Sequence, residues 1–309
     1  MSLDSFRQKI KPWMLPIAML TGLIFYQYIH YVSFLSPCLI FVMLLITFCR
    51  LKISDFHIGP YIWLLLGVQL AGSTAIYFAI RPFNELIAQG AFICVFCPTA
   101  TAAPTITGML GGSISKVATY SLFSQVSVAI LAPSLLSYMN PGAGITFAES
   151  MSRISVMVLP LILGPLVIAL VMERTVPRVH HAIASHQGLS FYIWAVALII
   201  VVGNSVSFLV PRFRQNVWLI LILAVVAFVA CIIQFWLGRK IGRHYGDMIS
   251  GAQSLGQKNT VLAVWLALNY LNPLVSAAPA AYVAWHNSVN SWQIYLHERQ
   301  KQKSGHAAS

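Results

Sequence analysis

Gln253-Ser-Leu-Gly-Gln-Lys-Asn-Thr260 sets amides, hydroxyls, a glycine and one lysine between sequences that otherwise read as membrane. Val261-Leu-Ala-Val-Trp-Leu-Ala-Leu268 follows directly, so Lys258 falls inside an apolar stretch. A full charge in mid-bilayer costs at least about 3 kcal/mol, and Lys258 is therefore expected to face a polar cavity or a partner rather than lipid. A second polar stretch, Cys97-Pro-Thr-Ala-Thr-Ala-Ala-Pro-Thr-Ile-Thr107, interrupts another apolar segment with two prolines and no charge. Two interrupted membrane segments at corresponding positions of two chain halves point to a transporter's binding site.

The rest of the chain fits that reading. With 309 residues, 58% of them hydrophobic and 8% charged, it has too few charges to cover a soluble globule, and its mean hydropathy is +0.77. A spanning helix needs roughly 20 mostly apolar residues. Cutting at charged and turn-forming clusters predicts ten spans, near 13–30, 34–49, 61–80, 86–110, 117–138, 154–172, 189–210, 216–237, 248–270 and 274–295. The fold class is all-α integral membrane.

The net charge of +12 suggests nucleic acid only until the basic residues are placed. With a cytoplasmic N-terminus, the inside segments carry Arg7, Lys9, Lys11, Arg50, Lys52, Lys116, Arg174, Arg178, Arg239, Lys240, Arg243, Arg299, Lys301 and Lys303. The outside segments carry only Arg81, Arg153, Arg212 and Arg214. That bias follows the positive-inside rule, puts both termini in the cytoplasm and supports an even span count. The partner implied is a lipid bilayer, with no nucleic acid. The N-terminal basic residues before an apolar run resemble a signal peptide, but no small-residue cleavage pattern follows, so the first span is expected to be retained.

The midpoint of the chain is Asn140-Pro-Gly-Ala-Gly144, a strong turn signal. Five spans on each side give the halves opposite orientations, the arithmetic of inverted repeats over roughly 1–140 and 150–300 within one polytopic domain, 1–309. Span four then corresponds to span nine. Pro98 and Pro104 lack backbone donors and predict a break between them, with a second half-helix beginning near Thr105 whose N–H groups and positive dipole end suit an anion. Thr101, Thr105 and Thr107 offer hydroxyls there, unless they bond only to their own backbone. Span nine is expected to unwind around Gly256 and restart at Asn259 or Thr260, with Thr260 as a cap. Span ten carries Trp285-His-Asn-Ser-Val-Asn290, a polar stripe on adjacent turns, and the tail from Glu298 is expected to fray. Gln69, among Gly72, Ser73 and Thr74, reads as a close-packing position, and Glu85 as a surface partner of Arg81. The five cysteines lack metal or disulfide spacing.

Cys97-Pro98 through Thr101-Ala102, Gly256 to Asn259 leading into Leu262-Ala263, and Trp285-His286-Asn287 resemble the bile acid:sodium symporter family, whose layout is similar over nearly the whole chain. The resemblance implies a ten-helix fold with a panel domain of spans one, two, six and seven, a core domain of the remainder, and broken, crossing fourth and ninth helices. It implies transport of organic anions by alternating access.

The departures from that family are chemical. Where sodium-coupled members resemble Gly-Gly-Thr-Ala-Ser-Asn, positions 99–104 here are Thr-Ala-Thr-Ala-Ala-Pro, so a serine and an asparagine are replaced by Ala103 and Pro104. A glutamate and a glutamine four residues apart are replaced by Ser254 and Lys258. An ammonium in a cation pocket repels sodium by roughly 4 kcal/mol at about 4 Å and an effective dielectric near 20. Both sodium sites therefore read as degenerate, and Lys258 reads as a tethered cation in sodium's place.

The expected function is a secondary transporter or facilitator of a small organic anion, without sodium coupling and without a cofactor. Thr101, Thr105, Lys258, Asn259, Thr260, His286 and Asn287 are its candidate substrate residues, and Lys258 acts either as a fixed charge or as a proton carrier. The alternatives are a metalloid (arsenite-type) extruder using Cys97 and a membrane enzyme built on a Ser254–Lys258 dyad, whose spacing unwinding at Gly256 would spoil. The expected location is a bacterial inner (plasma) membrane.

Overall fold

The computed structural model describes residues 14–49, 58–140, 145–185 and 187–306. The expectations placed on Arg7 to Trp13, Arg50 to His57 and the Pro141 to Gly144 turn lie outside them. All regular structure among the described residues is helical: α1 (Met14–Ile24), α2 (Tyr26–Ile29), α3 (Leu35–Cys49), α4 (Pro60–Ile80), α5 (Glu85–Phe96), α6 (Ala103–Met109), α7 (Ile114–Met139), α8 (Phe147–Thr175), α9 (Pro177–Ser185), α10 (Gln187–Leu209), α11 (Phe213–His244), α12 (Met248–Gly256), α13 (Thr260–Tyr270) and α14 (Ala277–His306), with short 3₁₀ turns between.

Four of these, α4, α7, α8 and α11, are long and apolar enough to cross a membrane unaided, the mark of a membrane protein. A fifth crossing results if α2 and its 3₁₀ extension are joined to α3 across a 73° bend. The described residues of each of the ten sequence-predicted segments are mostly helical, but three segments are split: α1 from α2 at Phe25, α5 from α6, and α12 from α13. Three features depart from expectation. The link between α8 and α10 contains α9, opened by Pro177 with its fixed φ, and this short helix buries His180 while most of its other residues stay exposed. α14 continues as helix to His306, through the segment expected to fray. α11 begins at Phe213 and carries a non-helical residue, Asn216, inside it.

The chain groups into two compact units, neither continuous in sequence. The first comprises 1–51, 129–218 and 264–277. In it α10 packs on α1 and α3, and α3 on α8. Small residues permit the approach: a Cβ on Gly22 would lie 2.7 Å from the Ile199 carbonyl oxygen. Ser205 and Ser276 share a hydroxyl hydrogen bond of 2.7 Å, and Ser207 Oγ donates to the Tyr26 carbonyl at 2.5 Å.

The second unit comprises 52–128, 219–263 and 278–309 and contains both breaks. α4 buries Tyr61, Leu65, Gln69, Ser73 and Tyr77, one face at four-residue spacing. From Ala88 through Phe96 α5 is buried on every side. Ser250 through Gly256 of α12 are equally enclosed. α11 meets α12 backbone to backbone, because a Cβ on Gly238 or Gly251 would overlap the main chain of the other helix. Gly111 (φ 83°) and Gly246 (φ 75°) supply the left-handed turns after α6 and α11. Asp247 then caps α12: its carboxylate accepts from Ser250 N–H (2.9 Å), Ser250 Oγ (2.6 Å) and Ser113 N–H (3.1 Å), tying the α6–α7 turn to the start of α12.

Candidate functional site

The site is built from two helix ends. α5 stops because Pro98 has no N–H and pushes Cys97 out of the helical region, to φ −55° and ψ 146°. A helix that ends inside a protein leaves its last carbonyls without partners, each costing about 1–3 kcal/mol if unpaired. Three side chains take them, two from other helices and one from the second break. Gln234 Nε2 donates to Cys94 O at 3.2 Å, Lys258 Nζ to Val95 O at 2.8 Å, and Gln69 Nε2 to Phe96 O at 2.7 Å and Cys97 O at 3.3 Å. Gln69 is fixed in turn, since its Oε1 accepts from Tyr120 OH at 2.5 Å and Ser124 Oγ at 2.8 Å.

The end of α12 is treated the same way. Thr99 Oγ1 donates to Ser254 O at 2.7 Å, Tyr282 OH to Gly256 O at 2.9 Å, and Ala100 N–H to Gln257 O at 3.1 Å. Asn259 N–H donates to Pro98 O at 2.8 Å, so Thr99 and Lys258 face each other in an isolated antiparallel β-bridge. Each break therefore completes the other: stretches unable to continue as helix pair backbone to backbone, as non-helical chain must in a low-dielectric interior.

Lys258 is 1% exposed, and no carboxylate among the described residues pairs with it. Its ammonium lies on a carbonyl of the last turn of α5, where the helix dipole is negative and favours a positive charge. The expected partner thus exists, but it is a backbone carbonyl rather than an open cavity. No hydrogen bond joins Lys258 to Ser254, and with α12 helical through Gly256 and Lys258 in the extended break the proposed dyad is not formed.

Other expectations are corrected in detail. The first break runs from Cys97 to Ala102 and α6 starts at Ala103, two residues before Thr105, which is exposed. Ala103 and Pro104 form its buried first turn. The second break is Gln257 to Asn259, and Gly256 is still helical; its missing Cβ admits the Phe235 ring rather than unwinding the chain. The cap of α13 is Asn259, whose Oδ1 accepts from Leu262 N–H at 3.2 Å, and not Thr260. Thr107 and Asn287 bond to carbonyls four residues back in their own helices, at 2.8 and 2.7 Å. Thr101 is half-buried in the break, while Thr260 (2% exposed) and His286 (3%) are buried. Thr260 Oγ1, Asn259 Nδ2 and His286 Nδ1 have no hydrogen-bond partner among the described residues.

Gln69, Gln234, Thr99 and Tyr282 are the residues that sequence reasoning missed. The available signal was a buried-type amide or hydroxyl in an otherwise apolar segment, which marks a need for a partner without naming it. Cys97 is fully buried, and no group of three or more His, Cys, Asp or Glu among the described residues is placed to hold a metal ion. No family model matches the chain, and no curated protein matches it in sequence.

Proposed function

We propose that the chain is a secondary transporter or facilitator of a small organic anion, independent of sodium, and a divergent relative of the bile acid:sodium symporter family. The observation that carries this reading is the pair of interrupted helices joined at their breaks, with the Lys258 ammonium on the carbonyl end of α5. Irregular backbone enclosed within a helical protein is how transporters expose main-chain dipoles to a substrate. A sodium ion at such a crossing would be held by carbonyl oxygens, and here an ammonium occupies one.

In this reading the ten helical segments are ten crossings, with both termini on the cytoplasmic side of a bacterial inner membrane. The unit containing α1, α3, α8 and α10 corresponds to a panel, and the unit containing the breaks to a core. Lys258 supplies positive potential to the crossing without touching the substrate, being fully enclosed. The substrate carboxylate would meet Thr101 and the start of α13, where Asn259 Nδ2 and Thr260 Oγ1 are donors without another partner.

The test is thermal-shift binding of the purified protein against small mono- and dicarboxylates, in sodium and in choline at constant ionic strength. The expected result is stabilisation by at least one anion, equal in the two salts. Saturable dependence on sodium overturns the tethered-cation reading, and no response to any anion overturns the substrate class.

A further inference from the structure

α14 presents Tyr282, His286, Asn290 and Gln293 at spacings of four, four and three residues, one face of a helix. This face meets α12: Gln253 Nε2 donates to Asn290 Oδ1 at 3.2 Å and to Gln293 Oε1 at 3.0 Å, and Tyr282 OH donates to Gly256 O. The result is a polar seam inside one compact unit, from half-buried Gln293 to the carbonyl that ends α12, about 16 Å along α14.

The seam is under-satisfied. Gln253 Oε1, Asn290 Nδ2 and His286 Nδ1 have no partner among the described residues, although the three side chains are at most 3% exposed. Gln253 and Asn290 are bonded to each other, and His286 lies one helical turn from Asn290 on the same face of α14. Turning the amides does not remove the deficit. Reversing Gln253, Asn290 and Gln293 together exchanges the roles in both hydrogen bonds and still leaves one free acceptor and one free donor. Left dry, each of these atoms would carry an uncompensated desolvation penalty.

We propose that this seam is a hydration site, in which ordered water accepts from Asn290 Nδ2, donates to Gln253 Oε1 and hydrogen-bonds His286 Nδ1. A buried water characteristically makes about three hydrogen bonds to otherwise unpaired polar groups. A donor, an acceptor and an imidazole nitrogen of either role form a set that one water, or a short file of them, completes. The water extends the hydrogen-bonded seam from Gln293 to His286, whose ring packs edge-on against Tyr282 at 5.6 Å. The site is separate from the anion-binding reading, and a dry seam would leave that reading standing.

X-ray radiolytic footprinting of the wild-type full chain in lipid nanodiscs tests it, because hydroxyl radicals generated from bound water oxidise the side chains beside that water. Tyr282 and Tyr120 are a matched pair, the same chemistry at 1% and 0% exposure, and only Tyr282 borders the seam. Tyr282 and His286 are expected to oxidise several-fold faster than Tyr120 permits as a buried baseline; equal rates for the two tyrosines would overturn the proposal. A Gln253→Leu/Asn290→Leu variant is expected to bring Tyr282 down to the Tyr120 rate, and an unchanged Tyr282 rate in that variant counts equally against bound water.

Discussion

The two ends of α5 solve the same problem by different means. At its start, Asn84 Oδ1 accepts from Ile87 N–H at 3.0 Å, and Glu85 in the first turn pairs with Arg81 at 3.1 Å while accepting from Tyr77 OH at 2.6 Å. These partners lie within eight residues along the chain, and the ion pair is 44% and 40% exposed. At its end the partners are 27, 140 and 163 residues away, and all are buried. Water replaces a lost contact at the first end. At the second nothing does, so the paired breaks should be stiff and intolerant of substitution while the α4–α5 turn should be forgiving.

Substitutions across α5 sharpen or break that contrast, and the largest effect is expected at Lys258. Lys258→Ala orphans the Val95 carbonyl and leaves a void in an enclosed site, an expected loss of about 3 kcal/mol in unfolding measurements in detergent, together with weakened anion binding. Retained stability in this variant would show that the ammonium is not the partner of α5. Gln69→Leu removes both carbonyl contacts and strands Tyr120 and Ser124, so a loss of about 2 kcal/mol is expected by the same measurement, and a Gln69→Glu variant should not recover it, because the carboxylate has no donor for Phe96 O.

At the other end the expected magnitudes fall. Asn84→Ala deletes a local cap, for about 1 kcal/mol. Arg81→Ala removes one side of a half-exposed pair, for roughly 0.5 kcal/mol, and this small effect should fade further as salt is raised. If Arg81→Ala or Asn84→Ala proves costlier than Gln69→Leu in chemical or thermal unfolding, burial is not what separates the two ends of the helix.

Particular residues show how far the sequence was legible. The first break was readable to within two residues because Pro98 acts on Cys97 through covalent geometry. The second was readable as a polar interruption, but its cause was misassigned to Gly256, since α12 contains no proline and stops where an alternative set of backbone partners exists at Pro98 and Ala100. Asn259 against Thr260 as the cap was ambiguous because both are capping residues in adjacent positions. Gln69 looked like a spacer among small residues, and nothing within its own segment reveals the carbonyls it reaches. α9 escaped notice because the run from Pro177 to Ser185 is too short and too polar to read as a span.

By itself the amino-acid sequence determined the membrane class, the all-helical build and the two places where helices had to fail. Those properties depend on hydropathy over a segment and on steric rules acting between neighbouring residues. Only the tertiary structure decided that the breaks pair with each other, that Gln69, Gln234 and Lys258 divide the carbonyls of α5 among them, and that the chain groups into two units that are each discontinuous in sequence. The reason is the range of the forces: an orphan carbonyl buried away from water requires a donor, but any donor the fold brings within about 3 Å will serve, whatever its distance along the chain.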